Sequence, residues 1–184
     1  MTKSEIRQMM RERKRALDSG EKLRRSEAVV RRLEALDHYK SARVVLLYWS
    51  MTDEVQTHDF VNRIYRDRTV LLPCVDGDDL RLRPYTGPDC LVAGEQFGIG
   101  EPTGPEWTDL AAIDLVAVPG VAFDRKRNRM GRGRGFYDRL LKSTPNAVKV
   151  GLAYDFQVLD AIPVESHDVP MDCVVSETST IGDL

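Results

Sequence analysis

Five short apolar runs constrain the fold of this chain more than any other feature of its sequence. They cover residues 43–49, 69–72, 113–118, 147–153 and 173–175. Most are apolar at successive positions, which is typical of strands that are covered on both faces. Helices are predicted before and between them, over residues 3–17, 21–36, 58–66 and 136–142. This alternation of strand and helix predicts an α/β fold with a mainly parallel sheet.

Turn residues set the expected limits of these elements. Residues 18–20 are expected to separate the first two helices, and Thr57 to cap the third. Pro73 is expected to end the second strand. Apolar and polar residues alternate over 80–85, which predicts a further strand, whereas residues 87–105 are rich in glycine and proline and are predicted to form a loop.

Composition and charge exclude several classes of protein. The 184 residues suffice for one catalytic domain, 1–184, with the helices over 3–36 packed on the α/β core. A net charge of −2 gives no long-range attraction to nucleic acid or an anionic membrane. Three scattered cysteines indicate neither a disulfide framework nor a zinc site. With no secretory signal and no apolar run near the ~20 residues that cross a bilayer, we expect a cytoplasmic protein, and a monomer rather than an oligomer.

In open α/β sheets, ligands bind at the carboxyl ends of the strands. The loops after Trp49, Val118, Ala153 and Val175 are therefore the expected location of a functional site.

The most informative of these loops alternates glycine and arginine over residues 131–135, which we name the Gly-Arg loop. Glycines let the backbone approach a ligand closely, and backbone N–H groups there can point at phosphate oxygens. A helix that begins near Phe136 adds its positive end, and Arg132 and Arg134 add forked donors. The spacing matches neither a Walker A loop nor a dinucleotide-binding fingerprint. It is compatible with phosphate binding, with a solvated turn, or with an RNA contact.

The wider segment 118–139, VPGVAFDRKRNRMGRGRGFYDR, resembles the signature of the 5-formyltetrahydrofolate cyclo-ligase family. Met130 replaces a leucine of that signature and Phe136 replaces its first tyrosine. Further segments match in order over nearly the whole chain. They are Lys3 to Arg7, Trp49 to Val55 with Thr57, Gly98 to Pro102, Gly151 to Gln157, Ile162 with Pro163, and Glu165 to Asp168.

This resemblance implies a three-layer α/β/α fold related to the sugar-phosphate isomerase and CoA-transferase group. It also implies the conversion of 5-formyltetrahydrofolate and ATP to 5,10-methenyltetrahydrofolate, ADP and phosphate. The expected partners are small molecules, with Mg²⁺ as cofactor and ATP as co-substrate, and neither nucleic acid nor membrane. Two alternatives remain at this point. One is a sugar-phosphate isomerase or CoA-transferase-like enzyme on the same fold, and the other is a basic nucleic-acid-binding module.

The resemblance also implies roles for individual residues. The expected ATP-binding residues are Lys3, Arg7, Arg129, Met130, Gly131, Arg132, Gly133, Arg134, Gly135, Phe136 and Tyr137. The expected substrate-binding residues are Trp49, Met51, Glu54, Arg134 and Tyr154, and the catalytic residues are Arg132, Arg134 and Tyr137. Asp138 and Asp168 are expected to hold Mg²⁺, an ion that prefers oxygen ligands.

The residues taken alone leave other roles open. Lys3 and Arg7 share a helix face, but such pairs are usually solvated. Arg129 can brace the Gly-Arg loop instead of binding a ligand, and Asp138 can stabilise a helix N-terminus. Asp168 can shape the turn before a proline. Glu54 can be an ordinary loop carboxylate, Tyr137 and Tyr154 can be core residues, and His167 is expected to be a turn residue.

Overall fold

The computed structural model describes residues 1–96 and 98–184, and Phe97, within the predicted loop at 87–105, lies outside the described residues. The strands are β1 Val44–Leu46, β2 Thr69–Asp76, β3 Asp79–Pro84, β4 Leu91–Ala93, β5 Gly100–Pro102, β6 Leu115–Val118, β7 Ala122–Asp124, β8 Arg129–Met130, β9 Val148–Leu152, β10 Val158–Leu159, β11 Cys173–Val175 and β12 Thr180–Ile181. The helices are α1 Lys3–Arg15, α2 Ser19–Glu34, α3 Asp37–Ser41, α4 His58–Ile64 and α5 Phe136–Leu141.

Seven strands form the central sheet in the order β12-β11-β9-β6-β1-β2-β3. The five inner strands are parallel to their neighbours, whereas β3 and β12 pair antiparallel at the two edges. This topology confirms the prediction of a mainly parallel sheet in an α/β fold.

The sheet is covered on both faces, as its continuous apolar strands predict. In β1, Val45 packs into a core with Val29 and Leu33 of α2, whereas Leu46 packs into a second core with Leu140 of α5. Successive side chains of a strand point to opposite faces, so a strand that is apolar throughout needs both layers. The relation to the sugar-phosphate isomerase and CoA-transferase group stays a prediction.

Helix α1 packs on a smaller structure beside the main sheet. Strands β10, β7 and β8 form a three-stranded sheet, and Ile6 and Met10 of α1 pack against Ala122 and Met130 there. This sheet was not predicted, because its strands have only two or three residues within a polar segment. It places the N-terminal helix beside the Gly-Arg loop, which follows β8 directly.

Several predicted limits were wrong. Ser19 and Gly20 lie in the first turn of α2, since Asp18 accepts the N-capping hydrogen bond from Glu21. Strand β2 continues through Pro73, which is tolerated because the pairing with β1 has already ended at Leu71, so no ladder bond from its nitrogen is needed. The predicted loop at 87–105 contains the hairpin strands β4 and β5.

Among the described residues, no helix combines the length and the apolar character that crossing a membrane requires.

Candidate active site

A cavity of about 790 Å³ opens at the carboxyl ends of the parallel strands. Its wall includes residues from α1, the segment after β1, the Gly-Arg loop and the start of α5. Of the four loops expected to form the site, those after Trp49 and Val118 line the cavity. The loops after Ala153 and Val175 do not, because α2 covers them. Tyr154, for example, is fully buried and its hydroxyl lies 3.2 Å from the Ser26 hydroxyl of α2.

The backbone of the Gly-Arg loop takes conformations that favour glycine. Gly133 has φ +105° and Gly135, which precedes α5, has φ +70°. The two arginine side chains reach outward to weak or exposed partners. Arg132 donates to Asp53 Oδ1 at 2.9 Å, and Arg134 donates to Gln96 Oε1 at 3.4 Å. Both guanidinium groups line the cavity and remain accessible to an incoming anion.

Arg129 has a different position from these two arginines. It is 9% exposed, and its Nε donates to the Pro119 carbonyl at 2.7 Å. Burial lowers the pKa of Arg129, which the nearby Asp138 carboxylate opposes. A Cβ on Gly131 would lie 2.9 Å from the Arg129 guanidinium, so the arginine supports the loop from below. This geometry favours the bracing role that the sequence left open.

Helix α1 brings two cations to the same end of the cavity. A capping box between Thr2 and Glu5 fixes the start of the helix. Arg7 Nη2 donates to the Gly131 carbonyl at 3.3 Å, while among residues 1–96 and 98–184 its buried Nε has no hydrogen-bond partner. Lys3 Nζ lies 3.4 Å from Glu165 and 3.8 Å from Asp168. We call Lys3, Arg7, Arg132 and Arg134 the cationic end.

The carboxylates expected to hold a metal line the cavity next to the cationic end. Asp138 Oδ1 accepts from the Val169 N–H at 3.0 Å and lies 4.0 Å from Arg129 Nη1. Oxygen and nitrogen atoms of Glu165, His167 and Asp168 lie within 4.8 Å of one another. Asp138 does not belong to this cluster. His167 therefore accompanies the expected ligand Asp168 in the wall, where the sequence indicated only a turn.

The part of the wall formed by the segment after β1, which we call the Glu54 end, is braced by several hydrogen bonds. Glu54 Oε1 accepts from the Met51 N–H at 2.8 Å, and the Glu54 carbonyl accepts from the Tyr154 hydroxyl at 3.0 Å and from Gln56 Nε2 at 2.7 Å. Burial raises the pKa of Glu54. Trp49 stacks on His58 with 3.8 Å between ring centroids. Glu54, Trp49 and Met51 therefore form a preorganised surface with one carboxylate.

The remaining predicted residues divide between the cavity wall and the core. Phe136 and Tyr137 line the cavity, and burial together with the Glu54 charge raises the pKa of Tyr137, which keeps its hydroxyl protonated. Met130 also lines the cavity but is 3% exposed and packs against α1. Tyr154 does not line it. This buried position does not fit the expected direct contact with substrate. The Tyr154 hydroxyl instead donates to the Glu54 carbonyl and supports the backbone there.

Two charged residues near the cavity were missed by the sequence interpretation. Asp53 joins Arg132 to Lys14, whose Nζ lies 4.0 Å away. A signal for Lys14 existed, because it follows Lys3 and Arg7 at spacings of eleven and seven residues, which keeps all three on one face of a helix. Asp53 precedes Glu54, but adjacency alone does not tell which of two carboxylates points into a cavity.

Comparisons with known proteins agree with this geometry. The model of the 5-formyltetrahydrofolate cyclo-ligase family matches residues 1–177. A 5-formyltetrahydrofolate cyclo-ligase of Mus musculus is 28% identical, with 95% of this chain and 93% of the relative covered, and that of Haemophilus influenzae is 34% identical, with 72% and 74% covered. The NMR structure of Aquifex aeolicus 5,10-methenyltetrahydrofolate synthetase superposes with a TM-score of 0.87 at 37% identity and covers 98% of this chain and 92% of its own.

The family match extends from α1, which carries Lys3 and Arg7, through the Gly-Arg loop and past β11 of the central sheet. It thus includes every residue that forms the two ends of the cavity. The resemblance seen in the sequence is confirmed, and the chain belongs to the 5-formyltetrahydrofolate cyclo-ligase family.

Proposed function

We propose that this chain uses the cavity to convert 5-formyltetrahydrofolate and ATP to 5,10-methenyltetrahydrofolate, ADP and phosphate. One observation carries the proposal beyond family membership. The wall of a single cavity includes the basic side chains of Lys3, Arg7, Arg132 and Arg134 and, on the segment after β1, the half-buried carboxylate of Glu54 beside Trp49 and Met51. A triphosphate and a flat heterocycle with N–H donors need these two kinds of wall.

The chemistry requires activation of a poor leaving group. The formyl oxygen on N5 attacks the γ-phosphorus of ATP and displaces ADP, which makes that oxygen part of a phosphate ester. N10 of the same folate then attacks the formyl carbon and closes the five-membered ring, its N–H proton is lost, and the C–O bond breaks to release phosphate, which can accept that proton. Alignment of two anionic substrates and neutralisation of moving charge are the protein's main tasks in such a reaction.

The cationic end suits the triphosphate. The unpartnered Nε of Arg7 supports this role, because a buried donor without a partner costs about 1–3 kcal/mol that an anionic ligand would recover. Lys3 on the same helix adds a second charge. In the Gly-Arg loop, Arg132 and Arg134 contact the transferred phosphoryl group and the formyl oxygen. The backbone of Gly131, Gly133 and Gly135 lies against the phosphates. Arg129 keeps the loop in place.

The Glu54 end suits the pterin ring. A carboxylate accepts two N–H donors side by side, and Glu54 is held for this by its bond from the Met51 N–H. Trp49 and Met51 supply an apolar wall for the ring. Tyr137, whose hydroxyl stays protonated, lines the same cavity and is available as a hydrogen-bond donor to the reacting group.

We further propose that Asp138 and Asp168 hold Mg²⁺ with the phosphates. Carboxylate oxygens are the hard donors that Mg²⁺ prefers, and Asp168 together with Glu165 already faces one cation, the Lys3 ammonium group. When bound, the ion would neutralise charge on the transferred phosphoryl group. In the protein itself, Asp138 accepts from the Val169 N–H and orients the turn there. With the ion bound beside Asp168, Lys3 would be free to move toward phosphate.

The wider assignment is that residues 1–184 form one catalytic domain, which acts as a cytoplasmic monomer on small molecules and binds neither nucleic acid nor membrane. The cationic side chains line a cavity instead of forming an exposed stripe, which supports a small anionic ligand over a polyanion.

The reaction is tested by mixing purified protein with 5-formyltetrahydrofolate and following the absorbance rise of methenyl-folate. Product is expected only when ATP and a divalent cation are both present. Equal formation of methenyl-folate without ATP would refute the proposal. Conversion of a sugar phosphate or an acyl-CoA by a protein that forms no methenyl-folate would favour the alternative enzyme class.

The metal assignment has its own test. Asp138→Asn and Asp168→Asn each remove a hard anionic ligand but preserve shape. Each is expected to raise the magnesium concentration that gives half-maximal turnover about tenfold or more and to leave circular dichroism unchanged, while Asp138→Asn also lowers thermal stability because it removes the charge beside the buried Arg129. Wild-type magnesium titrations of both variants would exclude the two residues as ligands.

A further inference from the structure

A row of three charged side chains connects the two ends of the cavity. Asp53 lies in the loop over residues 51–56, which also carries Glu54. Its Oδ1 accepts from Arg132 Nη2 at 2.9 Å, and its Oδ2 lies 4.0 Å from Lys14 Nζ. Asp53 therefore divides its two oxygens between the Gly-Arg loop and helix α1. The proposed chemistry assigns no role to Asp53 or Lys14.

Lys14 is unusual because its ammonium group is buried. The residue is 6% exposed, and burial lowers its pKa while the Asp53 charge opposes this. A buried charge costs several kcal/mol unless a close partner compensates it. At 4.0 Å, Asp53 forms an ion pair with Lys14 but is too distant for a hydrogen bond. The charge of Lys14 is therefore only partly compensated in the free protein.

Asp53 is held in its charged form by the same two cations. Burial alone would raise the pKa of Asp53, but Arg132 and Lys14 outweigh this and keep it below its ordinary value. The carboxylate thus has two competing cations within reach. Arg132 is the one that can leave, because its side chain is 42% exposed while that of Lys14 is 7% exposed.

The loop that carries Asp53 is cross-braced, so a movement of Asp53 reaches Glu54. Gln56 Nε2 donates to the carbonyls of both Met51 and Glu54, and the Met51 N–H donates to the Glu54 side chain. Glu54 follows Asp53 directly in this braced segment. A displacement of Asp53 by even 1 Å would shift the carboxylate assigned to the pterin.

We propose that Asp53 is a positioning residue that couples the two substrate sites. Without nucleotide it holds Arg132 at the rim of the cavity. When a triphosphate takes Arg132, Asp53 closes on Lys14, the buried ammonium gains a hydrogen-bonded partner, and the 51–56 loop is fixed with Glu54 in its binding position. Nucleotide then strengthens folate binding, and folate strengthens nucleotide binding by the same factor. This inference rests on the proposed function.

The test measures binding without turnover. The probes are 5-formyltetrahydrofolate and a β,γ-methylene analogue of ATP with Mg²⁺, titrated by calorimetry alone and in each other's presence. In the wild-type protein each ligand is expected to tighten the other on the order of tenfold. In Asp53→Asn this factor is expected to fall below about twofold, while the analogue alone binds several-fold more tightly because Arg132 has lost its competitor. A merely structural role of Asp53 would not tighten nucleotide binding.

A second variant and a control complete the experiment. Lys14→Met keeps side-chain bulk and removes the buried charge, so it is expected to abolish the coupling without tightening the analogue, since Asp53 still holds Arg132. Asp160→Asn is the matched control, because Asp160 forms an exposed pair with Arg125 at 3.3 Å outside the cavity wall. It is expected to keep wild-type affinities and wild-type coupling.

Two results are distinguishable. If the wild-type protein binds neither the analogue nor the folate, the proposed function fails, and this inference fails with it. If both ligands bind but show no coupling, or if Asp53→Asn retains the wild-type coupling, only the role of Asp53 is overturned.

Discussion

The two ends of the cavity are built in opposite ways. At the cationic end, Arg132 and Arg134 extend from a glycine-rich backbone and reach partners that are exposed or 3.4 Å distant. At the Glu54 end, the side chain and the backbone of Glu54 are both fixed by hydrogen bonds from buried groups. One end is a set of adjustable charges, and the other is an internally braced segment that keeps its own shape.

The difference matches what each of the two proposed ligands demands. A phosphoryl group moves during transfer, so the groups that follow its charge must be able to change position, and long solvated side chains do this at low cost. A flat ring keeps its shape, so a surface that recognises it binds best when it is already formed. The contrast predicts that backbone changes will damage the cationic end, whereas loss of one polar atom will damage the Glu54 end.

The largest expected effect comes from the backbone of the Gly-Arg loop. In Gly133→Ala, φ +105° is strained for any residue with a Cβ, although the space around that Cβ is open, with Arg7 Nη2 nearest at 3.6 Å. We expect most turnover and ATP binding to be lost, measured by the methenyl-folate assay and calorimetry, with a small loss of thermal stability.

Gly77 supplies a matched control for this backbone effect. It also has positive φ, +63°, and open space, but it lies in the β2–β3 turn outside the cavity wall. Gly77→Ala is expected to cost about 1 kcal/mol of stability and to leave ATP binding unchanged. Normal ATP affinity and turnover in Gly133→Ala would show that the loop backbone does not approach phosphate.

A pair of substitutions separates the two ends directly. Glu54→Gln keeps the shape but loses the charge that accepts pterin donors, so it is expected to raise the KM for folate roughly ten- to a hundredfold, from a charge-assisted contact of ~1.5–3 kcal/mol. Lys3→Ala is expected to raise the KM for ATP instead. Steady-state kinetics with each substrate varied in turn provide the measurement, and equal effects on both constants in either variant would contradict the division into two ends.

The smallest expected effect on turnover comes from a carboxylate outside the cavity. This group shows how burial alone, without ligand binding, changes the pH dependence of stability. Burial raises the pKa of Glu177 to about 7, and Arg25 lies 3.7 Å away. Because the folded-state pKa is raised above the usual 4.5, the stabilising contribution is complete below pH 4.5 and is lost as the pH rises through 7. Glu177→Gln should remove this dependence, a change on the order of 3 kcal/mol in the free energy of unfolding between the two limits.

Urea unfolding at pH 5, 6, 7 and 8 checks this expectation, with Glu27→Gln as a control at an exposed position of α2, the helix that carries Arg25. Turnover at saturating substrate should be the same in both variants. A free energy of unfolding for Glu177→Gln that parallels the wild type across this range would show that Glu177 titrates as an ordinary surface carboxylate.

Much of the fold was predictable because its signals are local. The runs at 113–118 and 173–175 became β6 and β11, and the helix predicted at 136–142 became α5 with limits within one residue. The strand through Pro73 was not predictable, since whether a proline interrupts a strand depends on whether its nitrogen faces a strand that still pairs there, and β1 pairs with β2 only as far as Leu71. The small sheet of β7, β8 and β10 was missed because two-residue strands carry no periodicity.

The site was predictable to a different extent at each residue. The resemblance pointed to Lys3, Arg7, Glu54 and the Gly-Arg loop, and the structure brings these residues to one cavity. Their individual roles stay predictions. Tyr154 lies behind the cavity wall. The sequence did not indicate this, because a tyrosine after a strand end can turn into the core as readily as toward a ligand.

By itself, the sequence determined the order of strands and helices, the parallel sheet and the position of the glycine-arginine segment, because periodicity and turn residues act over a few neighbouring positions. Only the tertiary structure decided that Arg7 donates to a carbonyl 124 residues away and that Arg132 meets Asp53 across 79 residues. Such contacts depend on how whole layers pack. Burial, which gives Lys14 and Glu54 their shifted pKa values, likewise exists only once those layers have closed around them.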